Sequence, residues 1–320
     1  MRPGCAGCNA KAPTTRRSPP CASWCWRPGS TDLRAFPDRP VGLRYSVDHN
    51  GDGIVETLQI STDARGVARV TMNRPEVFNA FDEAMIAALD AAFERLGQDP
   101  AVRIVVLDGA GKAFSAGADL QWMKRASEAT QAWNVEDARR FAGMLDRIAR
   151  CPKPTIAKVH GVALGGGVGL TLACDIAVAA AGAQFAVSEA RFGILPSVIG
   201  PYVINAVGPR EARRLALTAS RIPAAEALRI GMLHEVVESD AAGGLDGAVE
   251  RWIAELLMNG PRAQAEIKTL FAQLEVGPVS DQVRELTAQT IARVRLGAEA
   301  KEGFAAFLGK RPATWVPRPD

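Results

Sequence analysis

The chain has 320 residues, 48% apolar and 23% charged, the balance of a globular protein with a sizeable core, which excludes wholesale disorder and collagen-like repeats. Its net charge of +3 divides into +5 over residues 1–50 (eight Arg and Lys against three Asp) and −2 over residues 51–320, so the body offers no general electrostatic reason to bind nucleic acid. The uncharged stretch Val159–Cys174 contains five glycines and is shorter than the about 20 apolar residues of a membrane helix, which excludes a span there.

Residues 1–53 hold seven of the 20 prolines and four of the six cysteines, without apolar periodicity, and predict a disordered tail. Cys5-x2-Cys8-x12-Cys21-x3-Cys25 approximates a four-thiolate zinc spacing, but the intervening NAKAPTTRRSPP has nothing apolar to pack. Residues 1–31 are acid-free and carry Arg and Ser, as in a transit peptide, although their prolines spoil an amphipathic helix. A start codon assigned too far upstream is a third reading of the same segment. Asp48-His49-Asn50-Gly51-Asp52-Gly53 opens like a calcium loop, yet Gln59 stands where the bidentate Glu belongs and VGLRYSV before it is extended, so a polar turn is expected.

VETLQIST and GVARVTMN alternate like paired strands about a turn at Asp63–Gly66. Asp82 precedes a helix, AMIAALDAAFERLG, that Gly97 is expected to end. RIVVLDGA is a short buried strand, and a polar, loop-like segment then leads to a helix ending near Ile148. KPTIAKVHG is a strand, GLTLACD a helix, and IAVAA, AQFAVS and LHEVV short strands. From Arg210 onward the pattern is mostly helical, in PREARRLALTA, AAEALRIG, GAVERWIAELLMN, PRAQAEIKTLFAQL and a long final stretch. Strands alternating with helices, then helices alone, predict an α/β body with a helical end. Cys151 and Cys174 need no disulfide, which fits a reducing compartment, and a cytoplasmic location is expected.

Three segments can carry chemistry. Lys112-Ala-Phe-Ser-Ala-Gly-Ala118-Asp119-Leu120 follows a buried strand, and its small residues either admit a ligand to the backbone or make a tight strand-to-helix connection. His160-Gly-Val-Ala-Leu-Gly165-Gly166-Gly167-Val-Gly169 joins a strand to a helix. Its uncovered N–H groups at a helix N-terminus suit a developing oxyanion, the alternative being close helix–strand packing. The dinucleotide fingerprint fails because Leu170 stands where its third glycine belongs. In Phe185-Ala-Val-Ser-Glu189-Ala-Arg-Phe-Gly193-Ile-Leu-Pro196 a lone carboxylate either pairs with Arg191 or is desolvated and poised as a general acid/base. A serine triad at Ser115 would need its base from His160 or His234.

RVTMNRPEVFNAFD, AFSAGADL, KPTIAKVHGVALGGG, LACDIAVAA and KEGFAAFLGKR, in that order, resemble the enoyl-CoA hydratase/isomerase (crotonase) superfamily over about residues 57–311. The resemblance implies a crotonase-like α/β fold, a ββα spiral with a C-terminal helical region. Its divisions would be a tail at 1–53, a spiral core at 54–255 and helices for oligomerisation at 256–320. It implies an acyl-CoA substrate, with coenzyme A part of the substrate, no other cofactor, no metal, no membrane or nucleic-acid partner, and a homotrimer or dimer of trimers.

By motif, the resemblance makes the N–H groups of Ala118 and Gly166 the grip on the thioester oxygen. It sets the backbone around Ala116, Asp119, Leu120 and Gln121 along coenzyme A, and sends Lys310 to a coenzyme A phosphate of a neighbouring subunit. Hydratases of the family commonly use two glutamates. Glu189 matches one; the other, in GGGxE, falls on Gly169, and the usual P-G-x-G-G is replaced by Pro196-Ser-Val-Ile-Gly200. GGGVGL with SEARFGILPSVIGPY resembles a bacterial branch hydrating branched enoyl-CoAs, among them methylglutaconyl-CoA of leucine breakdown. Their extra carboxylate can pair with Arg191 or Lys124, although a structural ion pair or a solvated charge is the expected reading of each. The expected activity is therefore hydration of a branched enoyl-CoA with Glu189 as acid/base. The rivals are a Δ3-Δ2-enoyl-CoA isomerase using Glu189 alone, a catalytically weak acyl-CoA-binding or RNA-binding protein, and a hydrolase.

Overall fold

The computed structural model describes residues 57–238 and 241–317, with the backbone of two strands at 46–47 and 53–55. The cysteine cluster and the transit-like segment lie outside the described residues, as do 48–52 of the calcium-like stretch.

Strands β1 (Ser46–Val47), β2 (Gly53–Val55), β3 (Leu58–Thr62) and β4 (Val67–Met72) pair antiparallel in sequence. Strands therefore flank 48–52 where a calcium loop needs helices, and Gln59 pairs with Ile54 and Thr71 within the ladder. The β3–β4 turn closes on Gly66, whose φ of 80° is open to glycine. Asp82 caps α1 (Glu83–Gln98) by accepting from Met85 N at 3.0 Å. Gly97 does not end this helix. It lies within it, where a Cβ would come 3.1 Å from Pro152 Cδ, and Asp99 is the C-cap.

After β5 (Ile104–Gly109), the segment expected as a loop is helical. It contains α2 (Leu120–Glu128), capped by Asp119, and Thr130 then caps α3 (Gln131–Ala149). Trp122 is the one buried residue of α2, which left no apolar period to read. Then come β6 (Thr155–Val159), β7 (Val162–Leu164), α4 (Gly166–Ala173), β8 (Ile176–Ala180) and β9 (Gln184–Ala186). α5 (Gly200–Thr218) is broken at Gly208, so its second half opens with Pro209. β10 (Ile222–Pro223), α6 (Ala224–Arg229), β11 (Glu235–Val237) and α7 (Gly244–Leu257) follow, then α8 (Pro261–Phe271), α9 (Asp281–Arg295) and α10 (Ala298–Leu308). The expected division at 255/256 falls inside α7, and residues 43–320 form one unit.

The large sheet runs β1-β2-β3-β4-β5-β6-β8-β11, parallel from β4 onward. Its alternating side chains serve two cores. Val67, Ile104, Val106, Ile156 and Val178 meet Ala248, Val249 and Ile253 of α7. Val70, Met72, Val105, Leu107, Ala157 and Val159 face the larger core with α1, α3 and α4. A small sheet, β10-β9-β7, has β7 and β9 parallel, so both release the chain at the same end. Among the described residues no helix is long and apolar enough to cross a membrane.

Candidate active site

Three chain segments run side by side where β7 and β9 end. Residues 113–118 lie beside β7, with Ser115 N donating to Val162 O at 3.0 Å and Leu164 N to Ser115 O at 3.0 Å. Gly165 N donates to Ala186 O at 2.8 Å, which joins the end of β7 to β9. This stacking brings Ala118, Gly166 and Glu189 from three distant stretches of sequence to one place. Strand carboxyl ends are the usual location of a ligand crevice in such sheets.

Two spaces meet there. An outer cavity of about 570 Å³ is bordered by Ala116, Ala118, Asp119, Leu120, Gln121, Gly166 and Glu189, with Phe78, Arg191 and Arg221 also in its wall. An inner chamber of about 200 Å³ is walled by Phe81, Trp122, Phe141, Val198 and Ile199, and shares Ala118, Gly166 and Glu189 with the first. Phe81, Trp122 and Phe141 form an aromatic cluster with centroids 5.2 to 6.4 Å apart. The larger space has the room and the arginines that a polar, anionic handle needs; the smaller suits an apolar chain.

Ala118 bridges Phe81, but the ladder bonds there use its neighbours: Phe81 N donates to Gly117 O and Asp119 N to Phe81 O. Gly166 opens α4, where the first N–H groups have no acceptor within the helix. Among the described residues neither Ala118 N–H nor Gly166 N–H has a partner. Position 166 has no room for a side chain, since a Cβ would lie 2.1 Å from Phe81 Cζ. Two free donors, one at a helix N-terminus, suit an oxygen acquiring negative charge.

Glu189 opens a 3-10 turn, Glu189–Phe192, directly after β9. Burial pushes its carboxyl above the ordinary glutamate value, against the pull of the backbone N–H groups of Glu189 and Ser188. Its Oε2 is buried without a hydrogen-bond partner. The expected alternative, a pair with Arg191, does not form: Arg191 Nε donates to Ala219 O at 3.0 Å, and no carboxylate lies within ion-pair distance among the described residues. A desolvated, unneutralised carboxylate beside two free N–H donors can pass a proton to or from a bound molecule.

Asp119 lies on the cavity wall, but its carboxylate is committed. It accepts from Gln121 N and Trp122 N and pairs with Arg74 at 3.0 Å. Burial pushes its pKa up, and those hydrogen bonds outweigh it and hold the group below the ordinary value. Arg74 also donates to Ala80 O at 2.7 Å and stands 3.2 Å from Asp82, so one guanidinium ties the caps of α1 and α2. Lys124 is exposed and borders neither space. Lys310, after α10, is also exposed and outside both. No serine triad forms. Ser115 Oγ donates to Asn79 O and accepts from Gly117 N, while His160 and His234 are bonded to Gly111 O and Ala177 N.

Gly169 is closed off. A Cβ there would come 2.5 Å from Ile199 Cγ2 and 3.4 Å from Leu145 Cδ1. The two departures from the family pattern therefore meet in space: where a glutamate is replaced by glycine, a glycine of P-G-x-G-G is replaced by isoleucine, which fills the gap. Sequence reasoning noted both changes and missed that they are one. It also missed the aromatic cluster, whose members come from 81, 122 and 141 with no local pattern to join them.

A family model described as enoyl-CoA hydratase/isomerase matches residues 62–318. An enoyl-CoA hydratase from Shewanella pealeana of known structure superposes with a TM-score of 0.77 at 38% identity, covering 81% of this chain and 96% of that one. Mevalonyl-coenzyme A hydratase SIDH of Beauveria bassiana is 33% identical over 272 residues, 82% of this chain and 95% of its own. Crotonyl-CoA hydratase of Syntrophomonas wolfei is 32% identical over 256 residues, 78% and 94% respectively.

Proposed function

The chain belongs to the enoyl-CoA hydratase/isomerase family and is an enoyl-CoA hydratase, and from that premise we propose how its residues divide the work. The thioester oxygen accepts from Ala118 N–H and Gly166 N–H, with coenzyme A in the outer cavity, C2 and C3 at the junction beside Glu189, and the rest of the acyl chain in the inner chamber. Glu189 takes a proton from water as the water oxygen bonds C3. The double-bond electrons move through C2 to the thioester oxygen, giving an enolate held by the two N–H donors. Glu189 then returns the proton to C2, which regenerates the carbonyl and the carboxylate. Removing one oxyanion donor typically costs about 3–4 kcal/mol of transition-state stabilisation, and a positioned acid/base contributes about 10²–10⁴-fold.

The observation that carries this reading is the buried, unpartnered Glu189 Oε2 at the junction of the two spaces, beside two N–H groups without acceptors. The inner chamber, of about 200 Å³ and walled by aromatic and aliphatic side chains, supports an apolar acyl chain. A methylglutaconyl-like substrate carries a further carboxylate. Its natural partners are Arg191 and Arg221, on the outer wall, so that branch would turn back toward the coenzyme A side.

Exposed Phe271, Leu296, Phe304, Phe307 and Leu308 on the last helices support a trimer or dimer of trimers, with Lys310 reaching a neighbour's coenzyme A. Sedimentation as a monomer would remove that role.

Turnover of crotonyl-CoA, 3-methylglutaconyl-CoA and a 3-enoyl-CoA, followed by conjugated-thioester absorbance and product mass, tests the assignment. Loss of conjugation with gain of water on a 2-enoyl substrate is expected, and the faster one identifies the acyl class. The closure of Gly169 favours a second reading, a 1,3-proton shift by Glu189 alone. Gain of conjugation from the 3-enoyl substrate without mass change would establish that activity beside hydration.

A further inference from the structure

A water attacking C3 needs more than an acceptor for its proton. A second contact must fix its orientation, or it tumbles against a single carboxylate and rarely presents a lone pair to carbon. Position 169 cannot provide that contact, because Ile199 occupies the space. Among the other polar side chains of the outer wall, Asp119 is saturated by its cap bonds and Arg74.

Ser188 differs from these. It occupies the N-cap position of the 3-10 turn, where a serine ordinarily accepts from a backbone N–H of the first turn, yet it makes no cap bond. Among the described residues its hydroxyl has no hydrogen-bond partner, and it lines the outer cavity. Ser188 Oγ and Glu189 Oε1 approach the same bare face of Gly165: a Cβ there would lie 3.3 Å from the first and 3.4 Å from the second. Gly165 immediately precedes the donor Gly166. Two oxygens, one a carboxylate and one a hydroxyl without a partner, thus converge next to the thioester grip.

We propose that Ser188 Oγ is the second contact of the nucleophilic water, and so a positioning residue for hydration. The water donates one hydrogen toward Glu189 and the other to Ser188 Oγ, which leaves a lone pair for C3. The serine gains and loses no proton. Being neutral, it can sit beside Glu189 without the repulsion a second carboxylate would add. This rests on the hydratase reading, with Glu189 as the base.

The test separates steps that need the water from those that do not. Exchange of the α-protons of butyryl-CoA with deuterated solvent needs Glu189 and the oxyanion donors but no water at C3. Ser188→Ala is expected to lower kcat for crotonyl-CoA hydration about tenfold, the size of one hydrogen bond, with KM within about twofold and α-proton exchange unchanged. Ser188→Thr, which keeps the hydroxyl, is expected to recover most of the lost kcat. Equal loss of hydration and exchange in Ser188→Ala would overturn the proposal, since the serine would then be supporting Glu189 itself. Unchanged hydration, or a Thr variant no better than Ala, would overturn it too. Failure of the parent reading shows separately: Glu189→Gln with full hydration would remove the base, and the water contact with it.

Discussion

Gly165 and Gly169 lie about one helical turn apart and serve opposite purposes. At Gly165 the missing side chain leaves a face that Ser188 Oγ and Glu189 Oε1 approach, next to a free N–H. At Gly169 the missing side chain is replaced by Ile199 from the start of α5, with Leu145 of α3 behind it. One glycine keeps polar space beside the reacting centre, and the other lets an apolar wall close. The chemistry of a glycine-rich segment is therefore decided by what packs opposite each glycine.

Removing the polar side of this contrast should have the largest effect. Glu189→Gln is expected to lower kcat for hydration by about 10²–10⁴-fold while the Kd for a coenzyme A thioester stays within a few-fold, measured by steady-state kinetics and calorimetry. Forcing polarity into the closed side comes next. Gly169→Glu should not add a second working carboxylate. It should overpack the contact with Ile199, at about 1–3 kcal/mol, and lower Tm. The double variant Gly169→Glu/Ile199→Ala sharpens the comparison, since it opens the space. It is expected to regain stability over the single variant and to exceed it in crotonyl-CoA hydration.

A smaller effect is expected beyond both glycines. Asp119→Ala removes a cap and a partner of Arg74, and should cost about 1–2 kcal/mol in thermal unfolding without moving the pH profile. The smallest effect is in stability against pH. Burial raises Glu189 above its unfolded-state value, so below that unfolded value both states are protonated and no penalty exists. As pH rises from the unfolded to the folded value, the unfolded chain loses its proton first and stability falls. Glu189→Gln has no such term. Its Tm should match the wild type in acid and exceed it at neutral pH.

Much of the fold was readable because its signals are local. The helix over 83–98 announces itself through Asp82 and through Met85, Leu89, Ala92 and Leu96 on one face. β7 is three residues long, too short for any period, and α2 buries only Trp122, so neither stood out. Gly97 looked like a stop because sequence cannot show Pro152 packed against it. At the site, Glu189 was visible as a lone carboxylate among apolar residues. Ile199 was not, since its meaning lies in contact with a helix far earlier in the chain, and no local pattern singled out Ser188.

Arg74 has a consequence for heat. Its guanidinium joins Asp82 and Asp119, and Asp119 is the residue after the Ala118 donor. Most of the resistance to heat belongs to the two large cores, whereas the aim of the Ala118 N–H belongs to a few polar contacts at the rim of one of them. The rim can loosen while the cores hold. Activity on warming is then expected to decline before the calorimetric transition, and the width of that gap reports on the strength of the Arg74 clamp.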